Sequence, residues 1–204
     1  MRLRWWKAVL SGLSVYGLIV SCEAPTLPRP KTFPRLELPD TGRYDTFDCP
    51  LCPVRFAYPA YARPHYVPRD SCWFDLYFPD LDTYWHITAQ DLQSLHTTPA
   101  KALETYRKLV YKHSIRASDI SERFIRGPGG KGFFYEIYGE VPTHALLFYT
   151  DSVRYAIMIA SYFKVAGAED SLAPIIQQMR YELLRIYPSI TWRPAPLTRT
   201  RTCF

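Results

Sequence analysis

The sequence predicts an α+β domain in which two main helices pack on a largely antiparallel sheet. Short runs rich in aromatic and β-branched residues, bounded by turn residues, indicate strands. Two longer segments repeat apolar residues at steps of three and four, which is typical of amphipathic helices. Several strands are joined by connections of only a few residues, and such short connections require antiparallel neighbours. The order of the elements therefore excludes the strict alternation of a parallel doubly wound sheet.

Three predicted strands come before the first helix. They are VRFAYP (54–59), CWFDLYFP (72–79) and TYWHITA (83–89). The segment 98–113 then changes to a helical period, with apolar residues on one face. Thr98 is the expected capping residue. Pro99 suits the first helical position because a backbone N–H there would have no partner within the helix.

Two hairpins and a closing helix are predicted in the second half of the domain. The hairpin strands are ISERFIR (120–126) with GFFYEIYG (132–139), and THALLFYT (143–150) with RYAIMIASYFK (154–164). Asp151, in the second reversal, is expected to accept the hydrogen bonds of an Asx turn. The last helix, 172–187, has one apolar face and is capped by Asp170 or Ser171. The order of elements resembles that of PsbP and Mog1-like α/β/α sandwiches.

The first 21 residues have the pattern of an export signal. Three basic residues precede a short apolar run, residues 8–20, which is too brief to span a bilayer comfortably. Residues 18–21 and Cys22 resemble the lipobox of bacterial lipoproteins. The resemblance implies cleavage before Cys22 and its acylation by a diacylglycerol and a further chain such as palmitate, which would hold the protein on a membrane. An ordinary cleaved signal, with Cys22 incidental, is the alternative.

The rest of the chain divides into a tether, one domain and a tail. Residues 22–47 carry Cys22 and five prolines, and we expect a semi-rigid spacer. Residues 48–192 are long and apolar enough for a single domain with its own core. Residues 193–204 form a basic tail that contains proline.

The charge of the chain argues against a nucleic-acid partner. The formal net charge is +6, but three of the 25 basic residues and none of the 19 acidic residues precede Cys22. The chain from Cys22 onward therefore carries only +3. A nucleic-acid-binding protein is expected to show a basic stripe and a recognisable module, and this exported chain has neither.

Four cysteines remain after Cys22, and thiols tend to pair in an oxidising periplasm. Three connectivities are open. We prefer Cys52 with Cys72, because each opens one of the first two strands, and Cys49 with Cys203, which would fasten the tail. The spacing of CPLC (49–52) also permits a thiol oxidoreductase, although the low-pKa thiolate of such motifs depends on a helix N-terminus and a strand follows here.

No other motif assembles a catalytic or metal-binding set. GPGGKG (127–132) lacks the Ser or Thr and the helix that a phosphate-binding loop requires, so we interpret it as a hairpin turn. The five histidines have no metal-ligand spacing. Ser152 lies in a predicted turn without a histidine that the sequence would place beside it. We therefore expect no enzyme activity, no cofactor and no metal ion.

The aromatic content is high, with 16 Tyr, 11 Phe and 5 Trp. Tyrosine and tryptophan provide a large contact area with a polar tip, so some of them could form a face that binds a partner protein. A crevice in which Trp73, Tyr84 and Trp85 stack on a sugar or lipid is a second interpretation, and burial of many rings in the core is a third. The candidate partner-binding aromatics are Tyr58, Tyr61, Tyr66, Trp73, Tyr84 and Trp85.

Eight stretches, in order along the chain, resemble the gliding-motility lipoprotein family GldD, which is found with the type IX secretion machinery. They are CPVRFAYP (52–59), CWFDLYFP (72–79), YKHSIRASDI (111–120), YEIYG (135–139), FYTDS (148–152), SYF (161–163), EDSLAP (169–174) and Trp192. The resemblance implies a non-enzymatic component of motility and secretion whose partners are the membrane, through its lipid, and other proteins of that machinery. Only one acidic residue follows Cys22 closely, which favours the periplasmic side of the outer membrane.

Overall fold

The computed structural model describes residue 39 and residues 42–66, 72–112, 115–164 and 169–194. These residues form ten strands and two α-helices. The strands are β1 (Tyr44–Phe47), β2 (Val54–Pro59), β3 (Arg63–Tyr66), β4 (Cys72–Phe78), β5 (Thr83–Asp91), β6 (Ala117–Gly127), β7 (Gly130–Gly139), β8 (Thr143–Thr150), β9 (Tyr155–Phe163) and β10 (Thr191–Trp192). The helices are α1 (Pro99–Lys112) and α2 (Glu169–Ile186), and single 3₁₀ turns occupy Pro79–Leu81 and Tyr187–Ser189.

Seven of the strands form one sheet in the order β3-β4-β5-β9-β8-β7-β6, and every neighbouring pair is antiparallel. The long pairing of β5 with β9 joins the first three strands to the second four. The predicted α+β class with a largely antiparallel sheet and two packed helices is confirmed. The edges of the sheet are β3 and β6.

The two faces of this sheet bury two separate cores. One face packs against α2 and the smaller sheet, with Trp85, Ile159 and the helix residues Met179 and Leu183 fully buried. The other face packs against α1, whose Tyr106 and Val110 are buried with side chains of β7 and β8. The predicted apolar faces of both helices are thus the faces that meet the sheet.

The smaller sheet has the order β1-β2-β10, so the first and last described strands flank β2. Phe47 of β1 stacks on Phe74 of β4 at 4.2 Å between ring centroids, which ties this sheet to the first core. Residues 44–47, which the sequence pattern places in the tether, are paired with β2 in the structure. Trp192 of β10 donates a hydrogen bond to the Gly129 carbonyl at 2.6 Å.

The turn chemistry predicted from the sequence is present. The Thr98 hydroxyl accepts a hydrogen bond from the Lys101 N–H at 3.3 Å, as a capping residue does. Asp151 Oδ1 accepts three backbone N–H bonds, from residues 153, 154 and 155, at 2.8–2.9 Å. GPGGK closes a hairpin in which Gly130 has φ 149°, a region that favours glycine.

The helix α2 begins three residues earlier than the predicted segment 172–187. Asp170 and Ser171 therefore lie inside its first turn, not before it. Acidic and hydroxyl residues are favourable in a first helical turn as well as at the cap, which is why the sequence signal does not separate the two positions. No helix among the described segments is long and apolar enough to cross a membrane.

Candidate functional site

Part of the sheet face that carries α1 has no helix over it among the described residues. The helix packs mainly on β8 and β9, and no residue of β4 or β5 belongs to the core that it covers. The side chains of β4 and β5 that point to this side, and Tyr162 of β9, are half-buried or exposed. We call this surface the open face, and it comprises Trp73, Asp75, Tyr77, Tyr84, His86 and Tyr162.

Strand register brings these side chains together. Asp75 lies opposite His86 and Tyr77 opposite Tyr84, while Tyr162 pairs with Tyr84 from the other side. Because alternate residues of a strand point to the same side, the spacing Trp73, Asp75, Tyr77 places all three on the open face. Trp73 is 39% exposed and lies at the end of the row.

Four rings of the open face, those of Tyr77, Tyr84, His86 and Tyr162, lie against one another in a row. Tyr77 and Tyr84 are stacked with centroids 4.6 Å apart, and Tyr84 and His86 are nearly parallel at 6.3 Å. His86 and Tyr162 follow at 5.5 Å. His86 Nδ1 lies 2.7 Å from Asp75 Oδ1, which holds the imidazole in place. The result is an aromatic surface whose side chains are fixed before any partner binds.

One edge of the open face carries a fixed pair of charges. Lys164 Nζ lies over the rings of Tyr77 and Tyr84, at 5.6 and 5.4 Å from their centroids, and 2.5 Å from Asp82 Oδ1. The hydrogen bond from Lys164 lowers the pKa of the Asp82 carboxyl. The Tyr77 hydroxyl donates to the same carboxylate at 3.2 Å, and desolvation followed by this bond raises the pKa of Tyr77.

The six aromatic residues singled out from the sequence do not share one surface. Trp73 and Tyr84 lie on the open face, but Tyr58 and Trp85 are buried in the first core. Tyr84 and Trp85 are consecutive in β5 and must point to opposite sides of the sheet, so they cannot stack on one ligand together with Trp73. Tyr61 packs against the first core and hydrogen-bonds to Glu182. The side chain of Tyr66 lies outside the described part.

Asp75, His86 and Tyr162 of the open face, and Lys164 at its edge, are not among the residues predicted from the sequence. The alternation Trp73-Asp75-Tyr77 and Tyr84-His86 is the signal that could have found the first two, because it marks one side of each strand. Lys164 and Tyr162 join them through the β5–β9 pairing, which connects positions about eighty residues apart.

The cysteines form part of the predicted framework. Cys52 and Cys72 are joined by a disulfide with Cα atoms 5.2 Å apart, as predicted. Cys52 therefore does not pair with Cys49, and this weighs against a CPLC thiol oxidoreductase. Cys49 is buried and disulfide-bonded, but Cys203, its predicted partner, lies outside the described residues, as does Cys22. Those two assignments stay predictions. No three His, Cys, Asp or Glu side chains gather into a metal site within the described residues.

A buried carboxylate links α2 to the smaller sheet. Glu182 is fully buried and accepts hydrogen bonds from the hydroxyls of Tyr44 and Tyr61 and from Gln178 Nε2, the last at 2.8 Å. Burial raises the pKa of the Glu182 carboxyl, and the tyrosine hydrogen bonds oppose this only in part. This cluster holds the helix against β1 and the turn after β2, on the side of the sheet away from the open face.

Glu182 should make the domain less stable as the pH rises. A raised folded-state pKa means that the folded chain holds this proton more tightly than the unfolded chain, so stability falls as pH rises from the ordinary glutamate range through the folded pKa. Glu182→Gln cannot titrate. The free energy of unfolding of the wild type minus that of the variant should therefore decrease as pH rises, measured by urea unfolding.

Glu104→Gln is the control for this titration. Lys108 lowers the pKa of Glu104 on the exposed side of α1, so the stability that Glu104 contributes is lost as pH falls. The free energy of unfolding of the wild type minus that of Glu104→Gln should therefore increase as pH rises. A pH-independent difference for Glu182→Gln would contradict the assignment.

Comparison with curated proteins found no match for this chain. The family model of the gliding motility lipoprotein GldD, however, matches residues 23–192, which is most of the chain. The matched range contains the whole described domain, both helices, the open face and the Cys52–Cys72 disulfide. The chain therefore belongs to the gliding motility lipoprotein GldD family.

Proposed function

We propose that this lipoprotein is anchored through Cys22 in the outer membrane, faces the periplasm, and serves as a non-enzymatic component of the gliding motility and type IX secretion machinery. Its task there is to bind another protein of the machinery through the open face. The observation that carries the proposal is the preformed row of aromatic rings, from Tyr77 to Tyr162, on a part of the sheet that no described helix covers.

The chemistry of the open face suits a protein partner. Tyrosine and tryptophan are enriched at protein interfaces because they bury a large area with little loss of side-chain entropy. Both nearby carboxylates already have a partner within the protein, since Asp75 is hydrogen-bonded to His86 and Asp82, at the edge of the face, is paired with Lys164. The exposed ring of Trp73, at the end of the row, offers a further contact, and tryptophan is among the residue types that contribute most to binding energy at protein interfaces.

Replacing Trp73, Tyr77 and Tyr84 together with alanine should abolish type IX secretion, and gliding where the host glides. The experiment uses the full lipidated chain in cells that lack their own copy, with secretion measured by mass spectrometry of the culture medium. Immunoblots of membrane fractions must show a wild-type amount of the variant. Thermal unfolding of the purified domain checks that the fold is retained.

The control variant replaces Tyr111 and Tyr181, which are about half exposed elsewhere on the domain, and should secrete normally. Full secretion by the triple variant at a wild-type level would contradict the proposal. Loss of secretion by both variants would also contradict it, because the effect would then not depend on the open face.

A further inference from the structure

A second surface, separate from the open face, is an apolar groove between the first turns of α1 and the β6–β7 hairpin. Its volume is about 510 Å³, within the range of small-molecule sites. Local structure fixes both elements that form the groove. Thr98 caps the start of α1, and a glycine-containing turn closes the β6–β7 hairpin. The residues that line it are Thr98, Pro99, Ala100, Leu103, Phe124, Arg126, Lys131, Gly132, Phe133, Phe148, Thr150 and Ser152.

The floor of the groove is a cross-strand row of phenylalanines. Phe124 of β6 lies opposite Phe133 of β7, which in turn lies opposite Phe148 of β8. The rings of Phe124 and Phe133 are 5.6 Å apart and edge-on. Phe124 is 52% exposed, so a large apolar area remains in contact with water. Leu103 of α1 adds an apolar wall, and burial of this surface would favour an apolar ligand.

Two cations stand side by side at the hairpin end of the same groove. Arg126 and Lys131 are directly opposite each other in the β6–β7 register, an arrangement in which like charges repel. Within the described residues neither forms an ion pair, and the Arg126 guanidinium lies 5.9 Å from the centroid of the Phe124 ring.

We propose that this groove binds a single-chain anionic amphiphile of the fatty-acid class. The acyl chain lies over Phe124, Phe133 and Phe148, and the carboxylate lies between Arg126 and Lys131. Charge complementarity selects this ligand, because an anion relieves the repulsion between the two cations while the chain covers the exposed ring of Phe124 and the half-buried ring of Phe133. Arginine is suited to hold a carboxylate through two parallel hydrogen bonds.

Binding of palmitate to the mature chain, measured by equilibrium dialysis at concentrations below micelle formation, tests the proposal. We expect saturable binding at one site. Arg126→Gln combined with Lys131→Gln should weaken it at least tenfold, and Phe124→Ala should also weaken it. Hexadecanol has the same chain but no charge, so it should bind the wild type at least tenfold more weakly than palmitate does. Its affinity should be the same for the wild type and for the Arg126→Gln, Lys131→Gln variant.

Lys112→Gln combined with Arg116→Gln is the matched control, since it removes the same charge from exposed positions that do not line the groove. It should bind palmitate like the wild type. Neither double variant should unfold at a lower temperature than the wild type, because all four side chains are exposed and the Arg126–Lys131 variant also loses a repulsion between like charges. Absence of saturable palmitate binding, equal weakening by the control, or equal binding of palmitate and hexadecanol would each overturn the proposal.

Discussion

Replacing Cys52 and Cys72 together with serine will lower the free energy of unfolding by about 3 kcal/mol. The disulfide closes a loop with a sequence separation of 20 and ties the start of β2 to the start of β4. Without it the unfolded chain regains the entropy of that loop, and the smaller sheet loses its covalent link to the large one. Urea unfolding of the mature domain, followed by tryptophan fluorescence, measures the change.

The corresponding double alanine variant is the control for this experiment. Cys52 is buried, so serine adds a hydroxyl that must find a partner, whereas alanine adds none. Both variants should lose a similar amount of stability if the covalent link is what matters. Chemical reduction is a poorer test because Cys49 is also disulfide-bonded. A double alanine variant as stable as the wild type would contradict the role given to this bond.

Arg180→Met will cost about 3 kcal/mol of folding free energy. Arg180 is buried in α2, and its guanidinium donates to the Ile137 carbonyl at 3.2 Å and to the His144 carbonyl at 3.4 Å. It also lies 3.6 Å from Glu136 Oε1 and 4.4 Å above the Tyr138 ring. Methionine has a similar length but leaves the carboxylate and both carbonyls without this donor.

Arg185→Met, one turn and one residue further along α2, is the matched control. Arg185 also lies over tyrosine rings, those of Tyr44 and Tyr181, but is exposed, so we expect a loss below about 1 kcal/mol. Combining Arg180→Met with Glu136→Gln should recover part of the lost stability, since it removes the unpaired charge. Equal losses for Arg180→Met and Arg185→Met would show that burial of the guanidinium is not what matters.

The sequence predicts the parts of the fold that carry strong local signals. Both hairpins, both helices and strands β2, β4 and β5 follow from periodicity and turn chemistry, because residues near in sequence decide them. Strands β1, β3 and β10 were not predicted. They have only two to four residues, too few to show a clear alternation. In addition, β3 contains Pro64, which is tolerated in an edge strand but in a sequence usually indicates that a strand ends.

The candidate site was predicted only in part, because tertiary structure decides which side chains share a surface. Trp73 and Tyr84 were chosen for their chemistry, but so was Trp85, which the alternation of β5 sends into the core. Which strands lack a covering helix depends on where α1 lies across the sheet, and periodicity along α1 does not contain that information. The opposed cations Arg126 and Lys131 likewise become neighbours only once the register of the hairpin is known.

The pairing of β2 with β10 has a consequence for the order in which the domain can be completed. Thr191 and Arg55 are partners across 136 positions of the chain, so β2 emerges during synthesis long before its second neighbour exists. The Cys52–Cys72 link needs far less chain and can form on an unfinished domain. The last described strand to emerge is thus the one that closes the small sheet, and a chain truncated before Thr191 would leave β2 with an open edge.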